Sequence, residues 1–150
     1  MKEFDFDFKE YCIGCGWCCQ GESPYASKEE LKKYNAEGIN KKENESCRFL
    51  KNGLCSIYSK RPFDCRIFPI DLKRIHEKIM WILWENCPAA AHMNIDKFLE
   101  YIEKELSKGY SFQHILNHVN HDEKNLPDKY SKVKFKVLKE VSWPRIKGLI

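Results

Sequence analysis

Apolar residues recur at helical spacing in the second half of the chain. Ile95, Phe98, Leu99, Ile102 and Leu106 fall on one face at 3.6 residues per turn and predict an amphipathic helix. Asn94 is a candidate N-cap before them and Gly109 a candidate stop after them. Ser111 opens a second short helix with Phe112, Ile115, Leu116 and Val119 on one face and Pro127 beyond its end. Upstream, Ser27-Lys28-Glu29-Glu30 reads as a capping box, followed by Leu31 and Tyr34. Residues 67 to 84 carry two patterns. Leu72, Ile75, Ile79 and Ile82 keep a helical spacing, whereas the run Ile79-Met80-Trp81-Ile82-Leu83-Trp84 after the polar His76-Glu77-Lys78 predicts a hairpin, and the hairpin is preferred. Val133, Phe135 and Val137 alternate with lysines and predict a strand near the end.

These elements make the fold class α+β. The 150 residues suit one compact domain with two parts of different composition. Residues 1–92 hold every cysteine and are expected to form a small, loop-rich, metal-nucleated lobe, with bound metal in place of a large apolar core. Residues 93–150 are expected to be a helical C-terminal lobe packed on it. The longest apolar run is far shorter than the roughly 20 residues a membrane span takes. The opening Met1-Lys2-Glu3-Phe4-Asp5-Phe6-Asp7-Phe8 mixes acids with aromatics and lacks the basic start and apolar stretch of a secretory signal, which predicts a cytoplasmic protein.

In that compartment thiols stay reduced, so eight cysteines read as metal ligands rather than as a disulfide framework. The formal charge of +4 counts those thiols as neutral. Thiolate ligation would bring the holo-protein close to neutrality. The basic residues interleave with acids and form no block, there is no RNP-type string, and nucleic acid is not an expected partner.

Cys12-Ile13-Gly14-Cys15-Gly16-Trp17-Cys18-Cys19 is the densest of the cysteine signals. Its first three cysteines have the C-x₂-C-x₂-C spacing that wraps three corners of a [4Fe–4S] cluster. Gly14 and Gly16 give the loop the backbone freedom to curl around a compact core. Cys87, followed by Pro88, is a candidate for a later ligand. The zinc alternative uses the same residues, with Cys12 and Cys15 as half of a tetrahedral Cys₄ site. Cys47 and Cys55 flank a turn at Asn52-Gly53, and Cys65 and Cys87 complete the set. Thiolates suit both metals. The tight three-cysteine loop favours iron–sulfur, and one or two centres remain open. Adjacent side chains diverge, so Cys18 and Cys19 imply either two nearby centres or one ligand and one neighbouring thiol.

With Cys55-Ser56-Ile57-Tyr58 and Arg61-Pro62-Phe63-Asp64-Cys65-Arg66-Ile67-Phe68-Pro69 added, the sequence resembles the CxxCxxCC proteins, also called the YkgJ-type cysteine cluster family, over roughly residues 12 to 87. The resemblance implies zinc or iron chelation by Cys12, Cys15, Cys18, Cys19, Cys47, Cys55, Cys65 and Cys87. Arg61 and Arg66 are candidates to offset the charge of such a centre through N–H···S contacts, the alternative being ordinary ion pairs. The expected role is redox, metal-handling or cluster-dependent modification, with a redox or other protein partner and no membrane. The alternative is a zinc-stabilised interaction module without catalysis. No G-x-G-x-x-G, Walker A, H-E-x-x-H or Ser-His-Asp arrangement is present, so any catalysis would reside in the metal centre, and no catalytic residue is assigned.

His114, His118 and His121 are expected to form a solvated polar face opposite the apolar residues of their helix, with a partner surface or adventitious metal as the alternative. On that reading His118 is dispensable for metal content. Trp17, Trp81, Trp84 and Trp143 are expected in the core or in the wall of the site.

Overall fold

The computed structural model describes residues 25–33, 50–51, 54–56, 61–85, 87–104, 106–126 and 134–142. The chain forms α1 (Lys28–Lys33), β1 (Leu50–Lys51), β2 (Leu54–Cys55), α2 (Phe63–Ile67), β3 (Ile70–Ile75), β4 (Lys78–Trp84), α3 (Ile95–Lys104), α4 (Phe112–Asn125) and β5 (Phe135–Glu140). Strands β1 and β2 pair with each other, and β3, β4 and β5 form an antiparallel sheet in that order. The architecture is α+β. No described helix is long and apolar enough to cross a membrane.

Residues 67–84 resolve as a hairpin. The β3–β4 register runs from Ile70 opposite Leu83 to Ile75 opposite Lys78. The two-residue connection His76-Glu77 has φ of 50° and 67°. This double left-handed geometry is that of a type I′ turn, whose twist matches the flanking strands. The helical spacing loses because β4 is the central strand. Trp81, Ile82, Leu83 and Trp84 are all buried, so consecutive residues rather than every third or fourth seek cover. Strand β5 lies along the other edge of β4, with a register shift at Trp81/Ile82. Val133, expected in this strand, lies outside the described residues.

Local signals set the helix starts. In α1 the Ser27 Oγ accepts from the Glu30 amide at 3.1 Å, and the Ser27 amide donates to Glu30 Oε1 at 3.2 Å, closing the capping box. Asn94 Oδ1 accepts from the Lys97 amide at 3.1 Å, and Ser111 Oγ from the His114 amide at 3.2 Å. Helix α3 ends at Lys104, before the expected stop, and the chain continues in a 3-10 turn over Leu106–Gly109.

One apolar cluster joins Phe63 and Ile67 of α2, Ile70 and Leu72 of β3, Ile79, Trp81 and Leu83 of β4, and Phe98, Leu99, Ile102, Ile115 and Val119 of α3 and α4. The segment from residue 63 to residue 87 therefore has an apolar core, contrary to the expectation that metal would stand in for one. Trp81 and Trp84 are buried, at 0% and 4% exposure. Trp17 and Trp143 lie outside the described residues.

Glu103 of α3 ties this core to the sheet. Its Oε2 accepts from Trp81 Nε1 at 3.3 Å and from Ser142 Oγ at 2.6 Å, and its carboxylate pairs with Lys139 of β5. Burial alone would raise its pKa, but the Lys139, Ser142 and Trp81 donors outweigh burial and hold it below the usual 4.5. A depressed carboxyl pKa stabilises the fold above the unfolded value and loses that effect as pH falls through the folded one. Glu103→Gln is expected to lower stability at pH 7 by about 1–2 kcal/mol. Thermal melts across pH should show the gap from wild type narrowing below pH 4.5. A constant gap at all pH values would refute the linkage.

Candidate metal centre

The described residues include three of the eight cysteines. Cys55 closes β2, Cys65 lies half-buried on α2, and Cys87 is buried beside the apolar cluster at 7% exposure. Cys12, Cys15, Cys18, Cys19 and Cys47 lie outside the described residues. Helix α2 places Cys65 because Phe63 and Ile67, four residues apart, bury one face of the turn and leave Cys65 at its side. Arg61 is buried at 8% exposure and its Nη1 donates to the Cys65 carbonyl at 3.0 Å, clasping this turn. Arg66 is half-buried on the same helix.

A second group of metal-type side chains converges nearby, and sequence reasoning missed it. Asp64 of α2, Asp71 of β3 and His118 of α4 bring ligand atoms within 4.8 Å of one another. His118 Nε2 is 3.2 Å from Asp71 Oδ1 and 3.6 Å from Asp64 Oδ1. It is also 3.3 Å from Oδ2 of Asp122, one turn along α4. His118 and Asp122 are fully buried and Asp71 is 4% exposed. Burial opposes charge on His118, but the Asp64 charge and the contacts from Asp122 and Asp71 outweigh it and push the pKa up to about 10.

Each carboxylate is also held from outside the cluster. The Tyr25 amide donates to Asp64 Oδ2 at 2.6 Å, and Trp84 Nε1 to Asp71 Oδ2 at 3.0 Å. His121 Nδ1 lies 3.0 Å from Asp122 Oδ1. Helix α4 is fixed beside β3 by Arg74, which donates to Asn120 Oδ1 at 3.0 Å and pairs with Glu123 at 3.2 Å. The Tyr25 ring covers the histidines, with centroids 5.3, 5.5 and 5.2 Å from those of His114, His118 and His121.

The histidine face is therefore not the expected solvated surface. His114 and His118 are buried at 8% and 0% exposure, and His121 is partly covered. They do not lie opposite the apolar residues. One step along a helix turns only about 100°. His114 and Ile115, then His118 and Val119, thus share one wide buried stripe that extends to Asp122. Burial lowers the His114 pKa despite Glu30 nearby, with the His118 charge acting in the same direction as burial. The available sequence signal was the i, i+4 pair His118 and Asp122. Asp64 lies inside the Arg61–Pro69 string, where no neighbour along the chain marks it as a ligand.

Residues 11–88, just over half the chain, match the model of the CxxCxxCC family, described as a putative zinc- or iron-chelating domain. No curated protein and no solved structure matches the chain. All eight cysteines fall inside the matched segment. The chain belongs to the CxxCxxCC family, and its general chemistry is metal binding.

Proposed function

We propose that this chain is a cysteine-ligated iron–sulfur protein with a redox, metal-handling or modification role in the cytoplasm, working with a protein partner. One observation carries the reading: the C-x₂-C-x₂-C loop from Cys12 to Cys18 opens a matched segment that holds every cysteine of the chain. The donor set fits, because reduced thiols are soft ligands that favour iron–sulfur clusters and zinc over hard cations. Cys12, Cys15 and Cys18 would hold three corners. Cys19, Cys47, Cys55, Cys65 and Cys87 are the pool for the fourth ligand or a second centre. A bound cluster supplies one-electron chemistry at a potential set by burial and N–H···S contacts.

The residues of the chain tune such a centre. The buried Arg61 guanidinium holds the Cys65 carbonyl and so fixes the turn that carries this thiol. Cys87 borders the apolar cluster, which keeps water from that side. The second reading, a zinc staple for an interaction module, uses the same thiols, with Cys12 and Cys15 as half of a Cys₄ site and Cys47, Cys55, Cys65 and Cys87 to complete the set.

Anaerobic purification with iron, zinc and sulfide analysis tests the choice. Iron with sulfide and a broad band near ~400 nm is the expected result. A colourless protein with stoichiometric zinc and no sulfide would establish the staple. Cys12→Ser and Cys15→Ser are each expected to remove most of the bound iron and to lower soluble yield. Full metal occupancy in both variants would overturn the ligand assignment.

A further inference from the structure

The cluster of Asp64, Asp71, His118 and Asp122 contains no sulfur and asks for a different ligand. Both nitrogens of the fully buried His118 lack a hydrogen-bond partner. Nε2 nevertheless has three carboxylate oxygens at 3.2, 3.3 and 3.6 Å, none aligned with it as a hydrogen-bond acceptor. The three carboxylates gather negative charge around this one nitrogen. A divalent ion at their centre would answer that charge and take the proton's place on the imidazole nitrogen.

The spacing agrees with that. Bonds of about 2.0–2.1 Å in a tetrahedral site put ligand atoms about 3.3 Å apart, and an octahedral site puts adjacent ones about 3.0 Å apart. The observed separations from His118 Nε2 to Asp71 and Asp64, 3.2 and 3.6 Å, lie close to the tetrahedral value. The outer contacts fit as well. The Tyr25 amide holds Asp64 Oδ2 and leaves Oδ1 toward His118, and Asp71 is held at Oδ2 by the Trp84 indole and at Oδ1, the oxygen toward His118, by the Leu72 amide at 2.8 Å. Ligating carboxylates are oriented in this way by the residues around them. The three elements are fixed before any ion arrives: α2 by its buried Phe63 and Ile67, β3 by the hairpin, and α4 by Arg74.

We propose that Asp64, Asp71 and His118 form a second metal site, independent of the cysteines, for a divalent first-row ion taken through oxygen and nitrogen. Asp122, 3.3 Å from the same imidazole nitrogen, adds negative charge beside the ion's position. Two carboxylates with one imidazole suit manganese, iron or zinc, and they offer nothing to a soft thiophilic ion. The site shares no ligand with the cysteine set, so its failure leaves the iron–sulfur reading untouched.

Manganese separates the two sites, because thiolates take it poorly. Full-length protein with its cysteine-bound metal in place is titrated with Mn²⁺ while free ion is followed by electron paramagnetic resonance. Wild type and Cys12→Ser should each bind one equivalent, and the bound ion should show coupling to an imidazole nitrogen. Asp71→Asn, which keeps the side-chain shape, and His118→Gln should weaken binding at least about tenfold. No uptake by wild type, or uptake without nitrogen coupling, would overturn the proposal and needs no variant to fold. Retained affinity in a folded Asp71→Asn protein would overturn it too.

Discussion

Glu30→Ala is expected to lower the unfolding free energy by about 2–4 kcal/mol, a large loss for a residue on a helix of six residues. Glu30 is 4% exposed. Its Oε2 accepts from the Phe63 amide at 2.6 Å and from the Tyr110 hydroxyl at 2.8 Å, while Oε1 closes the capping box with Ser27. His114 Nε2 lies 3.5 Å away. One carboxylate thus joins α1 to the start of α2 and to the approach to α4. Removing it takes an acceptor from a buried amide, and that desolvation cost is the larger part of the effect. Glu29, exposed on the same helix, is the control, and its alanine variant should change stability by less than about 0.5 kcal/mol. Urea unfolding followed by tryptophan fluorescence, with metal content held fixed, measures both. Equal effects at the two positions would show that Glu30 acts only through helix propensity.

Trp81→Ala should cost about 3–5 kcal/mol. Trp81 is fully buried in the central strand, opposite Leu72 on one side and Lys139 on the other. The truncation leaves a cavity among Leu72, Ile79, Leu83 and the α3 residues of the cluster, and it takes from Glu103 its indole donor. Trp81→Phe should retain about half of that stability, since it keeps most of the apolar volume but not the N–H. The expected signature is a lower guanidinium midpoint at unchanged slope. A loss below about 1 kcal/mol for the alanine variant would mean that the sheet and α3 are not packed as described.

The elements that were legible in the sequence are those set by neighbours along the chain. Ser27 with Glu30, Asn94 and Ser111 all cap the helices they were expected to cap, because a cap is a contact over three residues. The hairpin was legible in its apolar run, though His76 and Glu77 are not the usual residues for a left-handed turn. The cysteine string was legible as chemistry because its ligands are close in sequence. The carboxylate–histidine cluster was not, because Asp64, Asp71 and His118 come from three elements that only the tertiary fold brings together. The histidines were misread for a related reason. A polar stripe on a helix implies solvent only when nothing packs against it, and here Tyr25, α2 and β3 do.

The order of strands in the sheet bears on how the chain is made. The most apolar stretch, Ile79–Trp84, sits in the middle strand, and its second edge is closed only by β5, which leaves the ribosome some fifty residues later. Until then β4 offers a row of unpaired backbone groups that a second nascent chain can join, the starting point for aggregation. Among the described residues β5 is the outer strand, and it carries an exposed lysine, Lys136, beside Lys139, which pairs with Glu103. Charge on an edge discourages further strand addition, so β5 converts an adhesive hairpin into a closed end.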